Sequence, residues 1–429
     1  MNEKSIKPAL ACLFVLLYVP FLYQYGYRWA FANPGDFPTI YRATKLVFEE
    51  GGSPYVHDAL KSFEAEVNRH VFPYLYPPPS LLAFYPFSLF SYGGAKVLLL
   101  VVSHACFLFV LYLLFVRIRP FGGGATWVEA ALMSVYVLTY NPVIDNFAWG
   151  QINLIVLALV CLAWLAFKRG RHALLIALPL SLAVLLKTYP ILLLPLLVIR
   201  RRFAAAGALV ALLGLYALVA WFVLPRGLWA DWSLNVAPTG GYGQKPFDLF
   251  LPVEPWNHSI NGFFTFVYDR RPELFGIKTR FVTVPLSYLL SGSVAAATAG
   301  LSLLSARKGM GERTFDVEVA LFLLMMFLIA PLSWEHHLVY ALPAALLAIH
   351  FLLGGGTKRA GAVGVVAALF VIAWDFPRDE MYFINGPLAI TNAVKFFAAF
   401  GLWCFVAWRL WGTLREGGAG RFAEHSGAC

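Results

Sequence analysis

The chain of 429 residues is 60% hydrophobic and only 13% charged, with a mean hydropathy of +0.70. A soluble globular protein of this length needs more polar surface, so the composition excludes that class and indicates a protein that lies in a lipid bilayer. The net charge of +10 does not indicate a nucleic-acid partner, because the basic residues lie in short connections between apolar stretches, as in membrane proteins.

Twelve apolar stretches predict an all-α, polytopic membrane protein with about 12 transmembrane helices. Eight of them reach or approach the roughly 20 residues that a helix needs to cross a bilayer: residues 8–24, 97–116, 152–167, 203–224, 281–305, 315–330, 338–353 and 388–411. Four shorter stretches lie between these, at residues 127–140, 173–186, 191–199 and 361–374. The first stretch is expected to remain as an uncleaved signal anchor.

Basic residues cluster in both termini and in alternate short connections, at residues 117–124, 168–172, 200–202, 307–313 and 358–359. The positive-inside rule places these clusters, and so both termini, in the cytoplasm. The two long polar segments, residues 26–92 and 225–280, then become a first and a second extracytoplasmic loop. We expect one transmembrane domain over residues 1–429, in the cell membrane, with its polar loops outside.

The first loop shows helical patterns before its last apolar piece. Residues 38–50 and 58–70 predict short amphipathic helices, separated by a Gly-Gly-Ser-Pro turn signal. Residues 80–90 are apolar but too short to span, and their aromatic content is typical of a helix lying in the membrane interface. Such a helix would give a lipid substrate a path to the protein.

Asp36 follows the first span directly, in the run Asn33-Pro-Gly-Asp36. A carboxylate held by a turn at the membrane surface can accept the proton of an attacking hydroxyl group. The alternative is an ordinary N-cap for the helix that follows, since Asp is a common capping residue. Spacing alone leaves both open.

Two further polar groups lie at the ends of apolar stretches. Gln151 and Asn153 begin a predicted span, where amides commonly form interhelical hydrogen bonds. Lys187 lies in the outer turn between two short apolar stretches. Its ammonium group either extends along the helix to the interface or binds a phosphate as a compact charge.

The last two groups lie in the second loop and before a late span. Trp256-Asn-His-Ser-Ile-Asn-Gly262 offers hydrogen-bonding groups and an indole ring for a sugar, or forms an ordinary turn. Ser333-Trp-Glu-His-His337 offers two imidazoles that can donate to phosphate oxygens or carry protons. Adjacent histidines on a helix diverge by about 100°, and the five cysteines form no Cys-x-x-Cys pair, so no metal site is predicted.

The order of these groups along the chain resembles the GT-C class of integral-membrane glycosyltransferases, and within it glycosyltransferase family 87. That family includes polyprenol-phosphate-mannose-dependent α-1,2-mannosyltransferases of mycobacteria. The resemblance covers most of the chain and is carried by Gly35-Asp36 followed by Tyr41, Gly52-Ser-Pro-Tyr55, Tyr76-Pro-Pro-Pro79, Trp149-Gly-Gln-Ile-Asn153, Lys187-Thr-Tyr-Pro190, Asn257-His-Ser-Ile-Asn-Gly262 and Ser333-Trp-Glu-His-His337.

The resemblance implies an inverting enzyme that moves a hexose, most simply mannose, from a polyprenyl monophosphate sugar to a glycolipid or glycan hydroxyl, with α-1,2 linkage. It assigns catalysis to Asp36, His336 and His337, with Asp36 as the base. Lys187, Arg270 and Arg271 are expected to bind the donor phosphate. Sugar and acceptor binding is expected from Tyr41, Tyr76, Gln151, Asn153, Trp256, Asn257, His258, Asn261 and Trp334. No cofactor is expected, because a lipid monophosphate can leave without a metal ion, and the chain has no Asp-x-Asp motif.

Two other functions also fit a multispan chain. A transporter or flippase of a lipid-linked sugar has a similar number of spans, although the two halves of this chain share no pattern of interrupted helices. An O-antigen ligase or polymerase also handles lipid-linked sugars outside the cytoplasm, with lipid diphosphates as donors.

Overall fold

The computed structural model describes residues 14–24, 35–56, 58–68, 70–120, 126–244, 256–269, 280–354, 358–375 and 391–426. These residues form helices and turns and contain no strand, which confirms the all-α prediction. The α-helices are α1 (Phe14–Gln24), α2 (Phe37–Phe48), α3 (Glu64–Val67), α4 (Pro79–Ser88), α5 (Tyr92–Tyr112), α6 (Trp127–Leu138), α7 (Asn141–Ala148), α8 (Asn153–Lys168), α9 (Ala173–Leu186), α10 (Leu194–Ile199), α11 (Phe203–Val223), α12 (Gly227–Asn235), α13 (Ile260–Asp269), α14 (Arg280–Arg307), α15 (Gly311–Ile329), α16 (Leu342–Leu353), α17 (Arg359–Ala373) and α18 (Val394–Ser426).

Several of these helices are long and apolar enough to cross a bilayer. Within the described ranges there are five, at Tyr92–Ile118, Phe203–Val223, Val282–Arg307, Glu335–Leu353 and Thr391–Glu416. A sixth crossing is formed if the bent pair made by α6 and α7 with α8 counts as one span. The chain is therefore an all-α polytopic membrane protein, and the number of 12 spans stays a prediction.

Two consecutive elements are too short to cross a bilayer in the usual way. Helix α9 has 14 residues and is about 21 Å long, less than the hydrocarbon core of roughly 30 Å. The chain returns through a 3₁₀ turn, Tyr189–Leu193, and α10. We call α9, the 3₁₀ turn and α10 the short hairpin, and Lys187 lies at its tip. Because the hairpin is shorter than the hydrocarbon core, its tip and its other end cannot lie at opposite membrane surfaces.

The break between α7 and α8 bends the chain by 116°. The predicted span 127–140 ends as α6 at Leu138, and Pro142 starts a separate short helix in its first turn. The turn that follows contains Gly150 with φ of +61°, a conformation that glycine adopts readily. This bend brings Gln151 and Asn153 to the end of α8.

The first loop folds onto the membrane helices through an apolar cluster of its own. The second predicted helix is shorter than residues 58–70, because Asp58 and Asn68 both have positive φ and so interrupt the helix on either side. Helix α4 buries one face in this cluster: Leu81 and Phe84 are fully buried, and α4 packs against α2, α9 and α11. Tyr85 and, just after the helix, Leu89 and Phe90 are exposed, so a position in the membrane interface stays a prediction. Burial of each such side chain contributes about 1.5–3 kcal/mol.

Candidate functional site

Asp36 is held at the start of α2 by contacts with the bend between α7 and α8. Its backbone N–H donates to the carbonyl oxygen of Trp149 at 2.7 Å, and its carboxylate Oδ2 accepts from Gln151 Nε2 at 2.6 Å. The side chain makes no capping hydrogen bond to α2. The carboxylate is therefore directed to the bend, and the N-cap alternative does not describe its side chain.

The turn before Asp36 depends on glycine. Gly35 has φ of +64°, and a Cβ at this position would lie 2.2 Å from the carbonyl oxygen of Trp149. That oxygen is the acceptor for the Asp36 N–H, so a side chain at position 35 would displace the contact that holds Asp36. The Gly-Asp pair is thus fixed by the close approach of two chain segments.

Lys187, at the tip of the short hairpin, is buried, with 5% of its surface exposed. Its Nζ donates to Asn153 Oδ1 at 2.7 Å and lies 2.7 Å from His337 Nε2. Asn153 Oδ1 also accepts from the hydroxyl of Tyr340 at 2.9 Å. The ammonium group therefore points into the protein, and the alternative in which it extends to the interface is wrong.

Asp36 accepts a hydrogen bond from Gln151 and Lys187 donates one to Asn153. Gln151 and Asn153 belong to the same turn, so the two predicted functional groups share one neighbourhood. Tyr76 of the first loop lies there too. Burial raises the pKa of the Tyr76 hydroxyl, and the nearby Tyr189 and Asp36 raise it further, because each disfavours a second negative charge. The first loop, the bend and the short hairpin thus converge.

The segment Glu335–Ala341 forms a 3₁₀ helix that packs against α7, α8 and α15. The rings of His336 and His337 lie 4.6 Å apart between centroids and at 84° to each other. His337 Nδ1 accepts from the backbone N–H of Trp334 at 3.1 Å, which orients its Nε2 toward Lys187.

Three buried groups hold this histidine segment in place. The carbonyl oxygen of His336 accepts from Asn146 Nδ2 at 2.7 Å. Glu335 forms a buried ion pair with Lys395 of α18 and accepts from Asn141 Nδ2 at 3.3 Å. Buried charges are costly unless paired, so these contacts fix the position of the segment.

The second loop contacts the backbone just before the histidine segment. The residues that make these contacts are Asn257, His258 and Asn261. Asn257 and Asn261 donate from Nδ2 to the carbonyl oxygen of Pro331 at 3.2 Å and 2.9 Å. The backbone N–H of His258 donates to the carbonyl oxygen of Ser333 at 2.8 Å. These contacts give the three residues a structural role, and the sugar-binding role stays a prediction.

The structure does not bring every predicted residue to this site. The Tyr41 hydroxyl donates to the carbonyl oxygen of Phe90 at 3.0 Å, and its ring packs in the aromatic cluster of the first loop. Trp256 is half-buried, and Trp334 contributes its backbone to the orientation of His337. Arg270 and Arg271 lie outside the described residues.

Sequence reasoning missed some residues that the structure places at the site. These residues are Asn146, Tyr189, Tyr340 and Lys395. Lys395 carried a usable signal, because a charged residue within an apolar span is rare without a functional or structural reason. Asn146 carried little signal, because it lies in the short polar connection between two predicted spans, where amides are common.

No group of three His, Cys, Asp or Glu side chains suited to a metal ion occurs among the residues that the structure describes. Apart from the Glu335–Lys395 ion pair that holds the segment, the site contains the carboxylate of Asp36, the ammonium group of Lys187 and the imidazoles of His336 and His337. This set can accept a proton on one side and stabilise negative charge on the other.

Comparison with known proteins gives two relatives with the same name, polyprenol-phosphate-mannose-dependent alpha-(1-2)-phosphatidylinositol mannoside mannosyltransferase. The protein of Mycolicibacterium smegmatis is 25% identical over 330 residues, which cover 71% of this chain and 67% of the relative. The protein of Mycobacterium tuberculosis is 24% identical over 290 residues, which cover 64% of this chain and 61% of the relative. The chain thus matches about two thirds of each relative's length or less.

No solved structure matches the chain. The sequence model of glycosyltransferase family 87 matches residues 74–331, which is more than half of the 429 residues. The match includes the bend, the short hairpin and the Asn257–Asn261 segment. The chain therefore belongs to glycosyltransferase family 87.

Proposed function

We propose that this protein transfers mannose from polyprenyl phosphate mannose to a hydroxyl group of a lipid-linked acceptor, with inversion at the anomeric carbon, to give an α-1,2 linkage. The observation that supports this most strongly is the convergence of Asp36, Lys187 and the His336–His337 pair from three separate parts of the chain. The names of the two mycobacterial relatives support the choice of donor and of a phosphatidylinositol mannoside as acceptor.

The proposed reaction begins with Asp36 as general base. Its carboxylate takes the proton of the acceptor hydroxyl while that oxygen attacks the anomeric carbon of a β-linked donor. Gln151 holds the carboxylate through Oδ2 and so sets the direction from which the acceptor must approach. Attack opposite the leaving phosphate converts the β-linked donor into an α-linked product.

The leaving group is a polyprenyl phosphate, which takes the electron pair of the broken carbon–oxygen bond. Lys187 and the adjoining His337 are the groups that stabilise this developing charge, with His336 beside them. A buried ammonium group is effective here, because charge interactions are stronger away from water. Arg270 and Arg271 remain candidates for the same phosphate.

We propose that the site opens to the extracytoplasmic face of the cell membrane, with both termini in the cytoplasm and a GT-C arrangement of helices. The alternation of basic connections supports this orientation. The short hairpin supports a site recessed below the membrane surface, because its tip carries Lys187 and its arms are shorter than the bilayer core. A lipid phosphate could then bind without leaving the membrane.

The direct test uses the purified protein in lipid nanodiscs with radiolabelled polyprenyl phosphate mannose and a phosphatidylinositol mannoside. We expect a product that is sensitive to an α-mannosidase. Transfer only from a lipid diphosphate sugar would instead indicate a ligase or polymerase. In a parallel assay with the protein in sealed lipid vesicles, movement of the donor across the bilayer without any mannosylated product would indicate a flippase.

Replacing Gly35 with alanine is expected to reduce transfer at least about 100-fold, because the new Cβ would meet the Trp149 carbonyl oxygen at 2.2 Å and displace Asp36. Gly51→Ala is the matched control: Gly51 has φ of +68°, and nothing lies within 4 Å of a Cβ built there. Both variants share the backbone strain, so only the clash differs. Equal activity of the two variants would contradict the role given to Gly35.

Transfer is expected to continue after divalent metal ions are removed with EDTA, since Lys187 and the histidines supply the stabilisation of the leaving phosphate. Initial rates before and after chelation, with Mg²⁺ or Mn²⁺ added back, measure this. A loss of more than about tenfold that either metal restores would show that a cation takes part in the chemistry.

A further inference from the structure

Two buried polar atoms beside the candidate site have no hydrogen-bond partner among the described residues. They are Oδ1 of Asn146 and Nε2 of His336. Asn146 is 1% exposed and His336 is 7% exposed. Buried polar atoms in proteins are nearly always paired, because an unpaired one loses its hydration without compensation. Such atoms next to a site indicate that a ligand or an ordered water completes them.

The orientation of the Asn146 amide follows from its neighbours. Its Nδ2 donates to two carbonyl oxygens, those of Pro142 and His336, each at 2.7 Å. Reversing the amide would place Oδ1 against these two acceptors, so the assignment of nitrogen and oxygen is fixed. Oδ1 therefore offers an acceptor that the fold itself does not use.

The two residues that carry these atoms connect the base with the groups assigned to the phosphate. The carbonyl oxygen of Asn146 accepts from the backbone N–H of Gln151 at 2.8 Å, and Gln151 holds Asp36. On the other side, the His336 ring neighbours that of His337, whose Nε2 lies 2.7 Å from Lys187 Nζ. In a transfer reaction the sugar ring occupies this interval, since its anomeric carbon lies between the attacking oxygen and the leaving phosphate.

We propose that Asn146 Oδ1 and His336 Nε2 bind hydroxyl groups of the donor's sugar ring and so help to determine which sugar is transferred. A hydroxyl group both donates and accepts. It can donate to Oδ1, and it can accept from Nε2 in the tautomer that carries its proton there. This inference rests on the proposed function and assigns His336 to the sugar, leaving Lys187 and His337 for the phosphate.

The test compares polyprenyl phosphate mannose with its 2-, 3-, 4- and 6-deoxy analogues in the wild-type protein and in Asn146→Ala. We expect at least one analogue to lower kcat/KM about tenfold or more in the wild type. In Asn146→Ala, the ratio of kcat/KM for the intact donor to kcat/KM for that analogue should fall toward one. Damage to the fold would lower the rates of all donors together and leave their ratio unchanged.

Asn141→Ala is the control, because Asn141 lies on the same helix and holds the same segment through Glu335 without an unpaired atom. It should keep the wild-type ratio between donors, whatever its absolute rate. Asn146→Ser and His336→Gln are measured in parallel, so that one poorly folded variant does not decide the result.

Unchanged donor ratios in Asn146→Ala, Asn146→Ser and His336→Gln would overturn the inference and would show that water completes these atoms. A wild-type protein indifferent to all four deoxy analogues would overturn it equally. A wild-type protein without transfer from the intact donor would instead overturn the proposed function, and this inference with it.

Discussion

Replacing Asp36 with asparagine is expected to lower kcat about 10²–10⁴-fold, the usual contribution of a general base. Asparagine has nearly the same shape, and its Oδ1 can still accept the hydrogen bond from Gln151, so the bend is retained. The KM for the donor should change little, because Asp36 faces the acceptor. The measurement is steady-state transfer of radiolabelled mannose in nanodiscs, with donor and acceptor varied separately.

Glu49→Gln is the matched control for this change. Glu49 lies at the end of the same helix and pairs with Lys45 at the surface, so its loss should leave the rate within about twofold of wild type, since exposed ion pairs contribute little. An Asp36→Asn variant that kept half or more of the wild-type kcat would show that another group accepts the proton.

Replacing Lys187 with methionine is expected to weaken donor binding about 10–100-fold, because a charge-assisted contact to the phosphate is lost. It should also lower kcat about 10²–10³-fold, as negative charge on the leaving phosphate is then less stabilised. Methionine fits a buried position of similar length, and Asn153 Oδ1 keeps its bond from Tyr340. Donor affinity is measured by equilibrium binding, and kcat is measured at saturating donor.

Two comparisons make the result specific. Lys187→Arg keeps the charge but needs more space, so partial recovery of binding without full recovery of rate is expected. Lys45→Met removes an exposed lysine of the first loop and should behave as wild type. If Lys187→Met bound the donor normally, the phosphate would have to lie elsewhere, and Arg270 and Arg271 would be tested next.

The membrane class and the helical architecture could be predicted from the sequence, because hydropathy reports directly on burial in lipid. The order of the polar groups along the chain also indicated the family, which the match over residues 74–331 confirms. The contact between Asp36 and Gln151 could not be predicted, since the two residues are 115 positions apart and local periodicity carries no information on such pairs.

Other contacts could not be predicted for local physical reasons. The packing of α4 against α2, α9 and α11 does not follow from its apolar and aromatic composition, because composition does not distinguish a lipid contact from a protein contact. From the sequence, the amides of Asn257 and Asn261 are suited to bind sugar hydroxyls. Backbone carbonyl oxygens accept hydrogen bonds from amides as sugar hydroxyls do, and in the structure the Pro331 carbonyl oxygen accepts from both Asn257 and Asn261.

The turn from Trp149 to Asn153 has a consequence for how the two ends of the site are spaced. Its first residues hold Asp36, through the Trp149 carbonyl and the Gln151 amide, while its last residue holds Lys187. In the reaction proposed above, the separation between proton acceptor and departing phosphate is therefore set within five consecutive residues, 149–153. A substitution that shifts this turn should then alter both ends of the site together.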